Sequence, residues 1–277
     1  MEHVHRPELV ASDVDGTLLD PLERITERTS RMIQAVVTAG VPFVLVSGRP
    51  PRWIPPVSKA AGLTGYAVCA NGATVYDIGN DEVLSVRGLD PIQLGDIVHA
   101  VSAALPEIAV SAERTAVGSP LSESYAMESE FQNPWGDPHG IESVANEVTR
   151  AEVLGKTATK LLIRHRGMTS DRLAAAVREV LGDAPVELTY SSNSGLLEVS
   201  AAGVTKASGL ETVCDLLGVR AEQVVAFGDM PNDVPMLRWV GHGVAMANAH
   251  ADLLAVADEV TAPNSEDGVA QVLERWF

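Results

Sequence analysis

The stretch ELVASDVDGTLLD, from Glu8 to Asp20, decides the fold, because it joins a short apolar run to an acidic turn at Asp13. A second run, VPFVLVSGR, follows a helix pattern and stops at Ser47. Continuous apolar runs rich in valine are typical of strands buried on both faces of a parallel sheet. The N-terminal third therefore predicts strands that alternate with helices.

The C-terminal third repeats this alternation. The segment VTKASGLETVCDLLG predicts a helix, and QVVAFGDMPND predicts a strand that ends in an acidic turn at Asp229. Strands that alternate with short helices favour a sheet covered by helices on both faces. We therefore predict an α/β fold whose core is a doubly wound, Rossmann-like parallel sheet.

Residues 87–191 have a different pattern, which predicts an inserted α+β domain. Helix patterns occur in PIQLGDIVHAVSAAL, IESVANEVTRAEV and TSDRLAAAVREVLG, and strand patterns in EIAVSAE, TATKLLIRHR and VELTYS. We expect a core domain at residues 1–86 and 192–277, interrupted by this insert. The loop Phe131–Gly140 is dense in turn formers, and both a packed loop and a substrate contact stay open as interpretations.

Composition and charge narrow the classes of partner. Hydrophobic residues make up 46% of the 277 residues, as in folded globular proteins, and the formal net charge is −17. This charge disfavours nucleic acid and anionic membranes as partners. The longest apolar run, Val41 to Val46, is far shorter than the roughly 18 residues of a membrane helix. Without a signal-peptide pattern or a disulfide framework, the sequence predicts a cytoplasmic protein.

Three predicted strands end in acidic or hydroxyl-bearing turns, which contribute Asp13, Asp15, Ser47, Asp229 and Asp233. Ligands of open α/β sheets bind outside the carboxyl ends of the strands, so we expect these side chains to meet in one crevice. Two carboxylates about 4 Å apart repel by roughly 4 kcal/mol at an effective dielectric constant of about 20. Such a cluster needs a bound cation or proton uptake, and carboxylate oxygens beside a phosphate favour Mg²⁺.

Four motifs carry a family resemblance. They occur in this order: SDVDGTLLD at Ser12–Asp20, VSGR at Val46–Arg49, GVTKASGL at Gly203–Leu210 and GDMPND at Gly228–Asp233. Together they resemble the haloacid dehalogenase (HAD) superfamily of phosphatases, whose first motif is D-x-D-G-T and whose fourth is G-D-x-x-N-D. The insert lies between the second and third motifs, and in this position it is similar to the large α/β cap domain of the Cof-type subfamily.

This resemblance implies a phosphatase that uses Mg²⁺ to hydrolyse small phosphate monoesters. Its partners would be small phosphorylated metabolites, with sugar phosphates as the favoured class. Asp13 would form an aspartyl phosphate, and Asp15 would serve as general acid and then as general base. The implied metal ligands are Asp13, the backbone carbonyl of Asp15, Asp229 and Asp233. Asp233 would act through the water shell of the metal or by orienting Lys206.

The resemblance also implies a phosphate-binding set, which consists of Ser47, Gly48, Lys206 and Asn232. Lys206 would supply the local positive charge that an acidic chain needs beside a phosphate. Two interpretations of Arg49 stay open, because its guanidinium suits either an anionic substrate or an ion pair that ties down its loop.

Two other functions are compatible with the same motifs. A phosphomutase or phosphotransferase of the same superfamily would pass the phosphoryl group to a second hydroxyl instead of water. A catalytically silent metabolite-binding protein would keep the fold without turnover. The sequence motifs leave the physiological substrate open, and they are compatible with a monomer or a homodimer.

Overall fold

The computed structural model describes residues 6–118, 125–131 and 146–277. The chain forms two compact units: Met1–Leu84 together with Thr205–Phe277, and Ser85–Val204. The strands of the described residues are β1 (Leu9–Ser12), β2 (Phe43–Val46), β3 (Tyr66–Cys69), β4 (Thr74–Asp77), β5 (Glu82–Val86), β6 (Ala109–Glu113), β7 (Ala126–Met127), β8 (Asn146–Glu147), β9 (Lys160–Arg164), β10 (Val186–Thr189), β11 (Leu196–Ala201), β12 (Val224–Gly228), β13 (His242–Met246) and β14 (Glu259–Thr261).

The α-helices of the same residues alternate with these strands. They are α1 (Glu27–Thr38), α2 (Pro55–Ala61), α3 (Pro91–Ala104), α4 (Arg150–Leu154), α5 (Ser170–Leu181), α6 (Lys206–Leu217), α7 (Val234–Trp239), α8 (Ala251–Leu254) and α9 (Gly268–Leu273). Among the helices described, none combines the length and the apolar character that crossing a bilayer requires.

The first unit is built on one large sheet with the strand order β14-β13-β12-β1-β2-β3-β4-β5. Strand β1 pairs in parallel with β2 on one side and with β12 on the other. The strand order therefore extends to one side of β1 with β2 and β3, and to the other side with β12, β13 and β14. The place where the order reverses is the topological switch point, where ligands of such sheets bind. The predicted α/β fold with a parallel, doubly wound core is confirmed.

The helices of this unit bury a narrower face than the sequence patterns indicate. In α1, Val36 is buried but Val37 is 42% exposed, and in α6 Val213 is buried but Leu216 is 56% exposed. Val37 lies about 100° around the helix axis from Val36, and Leu216 lies about 60° from Val213, so each falls beyond the edge of the buried face. Val37 and Leu216 are therefore apolar residues that lie outside the buried faces of their helices.

The second unit has its own sheet, with the strand order β10-β11-β9-β6-β7-β8. One face of this sheet packs on α3 and α5 through a core that includes Val110, Leu161, Leu197 and Val199. Strand β11 pairs antiparallel with β9 and β10. The prediction that the first unit resumes at residue 192 is therefore wrong, since residues 192–204 belong to the second unit, which begins at Ser85 rather than at residue 87.

The prediction of one helix in the insert is wrong, whereas the other two predicted helices and the three predicted strands of the insert are confirmed. The segment IESVANEVTRAEV forms β8 and then the short helix α4, which begins at Arg150. Thr149 caps α4 by accepting from the backbone N–H of Glu152, whose side chain accepts in return from the N–H of Thr149. This capping box starts a new helix where the pattern predicted a continuous one. Residues 141–145 lie outside the described residues, as do 132–140 of the predicted loop Phe131–Gly140.

Candidate active site

Three carboxylates from two distant parts of the chain meet at the switch point. Asp13 follows β1 directly, and Asp229 follows β12, whose Phe227 is paired with Ser12 in parallel register. Single carboxylate oxygens of Asp13, Asp229 and Asp233 all lie within 4.8 Å of one another, and all three residues are buried. The expected meeting of these strand-end side chains in one place is thus found for these three.

Lys206 places an ammonium group inside this cluster. Its Nζ lies 2.5 Å from Asp13 Oδ1 and 2.6 Å from Asp233 Oδ1, and its side chain is fully buried. The side chain reaches this point because α6 begins at Lys206, after a capping box between Thr205 and Ser208. Burying a charge costs free energy, and a hydrogen-bonded charge of opposite sign compensates for the water that each group loses.

Asp233 is held by hydrogen bonds on both of its oxygens. Oδ1 accepts from Lys206, while Oδ2 accepts from the backbone N–H groups of Asp229 at 3.1 Å and Met230 at 3.0 Å. This carboxylate therefore fixes the turn after β12 and orients the ammonium of Lys206. Of the two implied tasks of Asp233, the contact with Lys206 is the one visible in the geometry.

The charges in the cluster do not balance, and the pKa values reflect this. Burial raises the pKa of Asp13 well above its ordinary value, an effect that Lys206 opposes without cancelling. Burial and the neighbouring Asp233 raise the pKa of Asp229 to about 7. Burial disfavours the charged form of Lys206, but Asp13 and Asp233 outweigh it, and its pKa is raised. Carboxylates in excess of cations hold protons or attract a metal ion.

The donor set fits a small divalent cation. Carboxylate oxygens are hard ligands, and two ligands of one Mg²⁺ at about 2.1 Å each lie at most about 4.2 Å apart. The separations among Asp13, Asp229 and Asp233 are no more than 4.8 Å, so small side-chain movements bring two of them onto one ion. The cluster could therefore hold a metal.

Gly16 lets the turn after Asp13 lie directly against Asp229. Its φ is +77°, and a Cβ at this position would lie 2.2 Å from Asp229 Oδ2. The next residue, Thr17, donates its hydroxyl to Asp229 Oδ1 at 3.3 Å, and Asn248 Nδ2 donates to the carbonyl of Gly16 at 2.9 Å. The turn thus fixes Asp13 and Asp229 relative to each other.

Gly16→Ala is expected to lower both stability and activity. The left-handed backbone alone costs an alanine about 1 kcal/mol, and the added methyl group displaces the carboxylate of Asp229. The matched control is Gly40→Ala, which has the same φ of +77° but no atom within 4 Å of its Cβ. We expect the control to lose only melting temperature and to keep kcat within twofold. Equal kcat values for the two variants would contradict the close approach.

Asp15 pairs with Arg49 instead of joining the three clustered carboxylates. Arg49 Nε and Nη2 lie 2.9 and 2.6 Å from the two oxygens of Asp15, whose side chain is 52% exposed. Burial disfavours the charge on Arg49, but the Asp15 carboxylate outweighs this effect and the pKa of Arg49 is raised. The contact ties the loop after β2 to the turn after β1, which is one of the two interpretations of Arg49 left open by the sequence.

The predicted phosphate-binding residues lie on the loops around this cluster. Ser47 is buried at the end of β2, next to β1, and its Oγ accepts from the backbone N–H of Arg49 at 3.1 Å. Gly48 lies between them in the same loop. Asn232 is buried, and its Nδ2 donates to Asn71 Oδ1 at 3.1 Å.

Two residues near the site have no role in the sequence interpretation. Asn71 belongs to the segment CANGA, where its Asn-Gly pair is a turn signal, and Asn248 supports Gly16 from the loop after β13. The signal for Asn71 is thus present in the sequence, but a turn pair does not reveal the side-chain partner. Nothing in the local sequence indicates the contact of Asn248.

Comparison with known proteins identifies the family. A family model described as haloacid dehalogenase-like hydrolase matches residues 10–273. The chain belongs to this family. It is 30% identical over 282 residues to the 5-amino-6-(5-phospho-D-ribitylamino)uracil phosphatase YitU of Bacillus subtilis (strain 168), with 98% of each chain covered. It is 28% identical to the phosphoglycolate phosphatase of Methanothermobacter thermautotrophicus, with 97% of this chain and 98% of the relative covered.

Solved structures of HAD phosphatases have a similar fold. The subclass IIB sugar phosphatase BT4131 matches with a TM-score of 0.79 at 21% identity, covering 97% of this chain and 98% of that one. The predicted membership of the HAD superfamily is confirmed. The protein is accordingly a phosphoric monoester hydrolase of this family.

Proposed function

We propose that this HAD hydrolase is a Mg²⁺-dependent, cytoplasmic phosphatase that cleaves small phosphate monoesters, with sugar phosphates as the leading class, through an aspartyl phosphate on Asp13. The observation that carries the proposal is the buried ammonium of Lys206 between Asp13 and Asp233, with Asp229 beside them. This cluster supplies both a cation and a candidate metal site beside the buried carboxylate of Asp13. The named substrates of YitU and of the phosphoglycolate phosphatase are also small phosphorylated molecules.

In this proposal, Asp13, Asp229 and the backbone carbonyl of Asp15 would hold the metal, while Asp233 would orient Lys206 beside it or act through its water shell. When bound, Mg²⁺ neutralises the charge that the phosphoryl group shares with the surrounding carboxylates. Lys206 donates to Asp13 Oδ1 and holds this carboxylate in one orientation. Ser47, Gly48, Lys206 and Asn232 bind the phosphoryl oxygens.

The reaction then divides into two steps at the chain's own carboxylates. Asp13 attacks phosphorus, and the bond from phosphorus to the ester oxygen breaks. The departing alcohol takes its proton from Asp15, which must first leave Arg49 and take up a proton from solvent, because a carboxylate in an ion pair has none to give. Asp15 next takes a proton from a water molecule that attacks the phosphorus of the aspartyl phosphate, which releases inorganic phosphate and restores Asp13. The Arg49 contact keeps the carboxylate of Asp15 beside the loop that carries Ser47.

The second unit, Ser85–Val204, is proposed to be the cap domain that selects the leaving group. The groups assembled in the first unit are charges and hydrogen-bond donors suited to a phosphoryl group and a metal, and these do not distinguish one alcohol from another. The net charge of −17 repels the phosphate backbone of nucleic acid, so we propose no nucleic-acid partner.

A turnover assay tests the proposed function. The purified protein is given p-nitrophenyl phosphate and a panel of sugar phosphates and nucleotides, with Mg²⁺ or with EDTA, and inorganic phosphate is measured. We expect Mg²⁺-dependent release from several small esters. Transfer of phosphate to a second hydroxyl without release would indicate a phosphomutase or phosphotransferase, and tight binding without turnover would indicate a catalytically silent binding protein; either result would contradict the proposal.

The stabilising effect of Mg²⁺ is expected to increase with pH. The folded pKa of Asp229, about 7, lies above its ordinary value of 3.8, so ionising this group costs folding free energy as the pH rises between these values. Mg²⁺ needs the ionised carboxylates, and protons compete with it at lower pH. We expect Mg²⁺ to raise the melting temperature more at about pH 8 than at about pH 6. Equal shifts at both values, or no shift at millimolar Mg²⁺, would count against a shared carboxylate site, and Asp229→Asn should remove most of the shift.

A further inference from the structure

Asn71 lies where the loops of the candidate site meet. It follows β3 in a left-handed conformation with φ +55°, and it is buried. Its backbone N–H donates to the carbonyl of Ser47 at 3.0 Å, and the N–H of Ala70 donates to the carbonyl of Arg49 at 2.9 Å. Asn71 is thus fixed to the loop after β2, which carries one of the proposed phosphate-binding residues.

The side chain of Asn71 extends this connection to the turn after β12. Its Oδ1 accepts from Nδ2 of Asn232 at 3.1 Å. Asn232 is only 6% exposed, and within residues 6–118, 125–131 and 146–277 its own Oδ1 has no hydrogen-bond partner. Among those residues, the hydrogen bond to Asn71 Oδ1 is therefore the contact that fixes the orientation of the Asn232 amide.

The side-chain oxygen of Asn71 fixes the orientation of the Asn232 amide, because it determines where the NH₂ group of that amide points. A side-chain amide has a donor NH₂ group and an acceptor oxygen of nearly the same shape, so only its partners fix its orientation. Because Asn71 Oδ1 can only accept, it holds the NH₂ group of Asn232 towards itself. The second N–H of the same group then stays available to an anion in the site.

We propose that Asn71 is a positioning residue that orients the amide of Asn232 as a donor to the phosphoryl group. This inference rests on the proposed function, in which Asn232 binds phosphate. Without the oxygen of Asn71, the amide of Asn232 is free to turn by half a rotation and present its oxygen to an anion, which repels it. The loss should therefore appear in phosphate binding rather than in the chemical step.

Asn71→Gly tests this role while it keeps the backbone. Glycine adopts φ +55° without a steric cost, so the variant removes the amide and little else. We expect KM and the inhibition constant of inorganic phosphate to rise about tenfold, as for the loss of a hydrogen bond to a charged group, with kcat within about threefold of wild type. Asn71→Ser, whose hydroxyl is too short to replace the amide, is the second variant and should give the same rise if the glycine variant does not fold.

Asp81→Gly is the matched control. Asp81 also has a left-handed backbone, with φ +53°, and its side chain also accepts one hydrogen bond, from the hydroxyl of Tyr76. Its turn follows β4 at the Tyr66 end of β3, whereas Asn71 follows the opposite end of that strand. We expect the control to lose a similar amount of melting temperature and to leave KM and the phosphate inhibition constant within twofold.

A double-mutant cycle separates positioning from a general structural effect. In the background of Asn232→Ala, the change from Asn71 to Gly should alter the phosphate inhibition constant by less than twofold, because its effect passes through the missing amide. The proposal is overturned if Asn71→Gly leaves KM and the inhibition constant within twofold of an active wild type. It is equally overturned if the tenfold rise persists in the Asn232→Ala background. An inactive wild type would instead contradict the proposed function itself.

Discussion

Replacing Asp13 by asparagine is expected to lower kcat by about 10⁴-fold or more, because an amide cannot form the aspartyl phosphate. The fold should not suffer. Burial already raises the pKa of Asp13, so the neutral amide removes an unfavourable charge and can still accept from Lys206. We therefore expect the melting temperature without Mg²⁺ to stay the same or to rise, while the increase caused by Mg²⁺ becomes smaller.

Asp215→Asn is the control for this variant. Asp215 is an exposed carboxylate on α6, the helix that begins at Lys206, and it should keep kcat within twofold of wild type. Steady-state kinetics with p-nitrophenyl phosphate and thermal unfolding with and without Mg²⁺ measure both effects. A kcat of Asp13→Asn within tenfold of wild type would rule out Asp13 as the nucleophile.

Replacing Lys206 by methionine is expected to damage stability and activity together. The change leaves Asp13 and Asp233 buried without their shared cation, and removing one partner of a buried ion pair costs about 3–5 kcal/mol. The loss of the positive charge should also lower kcat by about 10³-fold, since charge stabilisation is the main source of rate enhancement in phosphoryl transfer. Urea unfolding and steady-state kinetics measure the two losses.

The double variant Lys206→Met with Asp233→Asn distinguishes these two effects. Asparagine at 233 removes one of the two uncompensated charges, so part of the free energy of unfolding should return. Turnover should not return, because no cation has been restored beside Asp13. A single variant Lys206→Met with unchanged stability and with kcat within tenfold of wild type would mean that the buried ammonium has neither role.

The sequence predicts the meeting of the carboxylates for a simple reason. Buried parallel strands can be recognised by their apolar runs, and the carboxyl ends of such strands share one edge of the sheet. Asp13 and Asp229 could therefore be placed together although 216 positions separate them in the chain. The burial of Lys206 is less visible, because a lysine at the start of a helix is usually solvated, and only its partners Asp13 and Asp233 reverse this.

The elements that the sequence missed depend on contacts between distant residues. Strand β11 is decided by its pairing with β9 and β10, and the preceding residues carry only turn signals. The ion pair between Asp15 and Arg49 joins two loops that are remote in sequence. The hydrogen bond between Asn71 and Asn232 likewise joins two turns, and no local pattern specifies which side chain meets which.

The identity of the phosphorylated side chain decides whether the reaction passes through an aspartyl phosphate on Asp13. The wild-type protein is mixed with excess substrate and Mg²⁺, quenched in acid within the first turnover, digested and examined by mass spectrometry. We expect one added phosphoryl group on the peptide that contains Asp13, and none on that peptide in the Asp13→Asn variant. Turnover that proceeds with no phosphoryl group on that peptide, or with one on a different residue, would show that Asp13 is not the nucleophile.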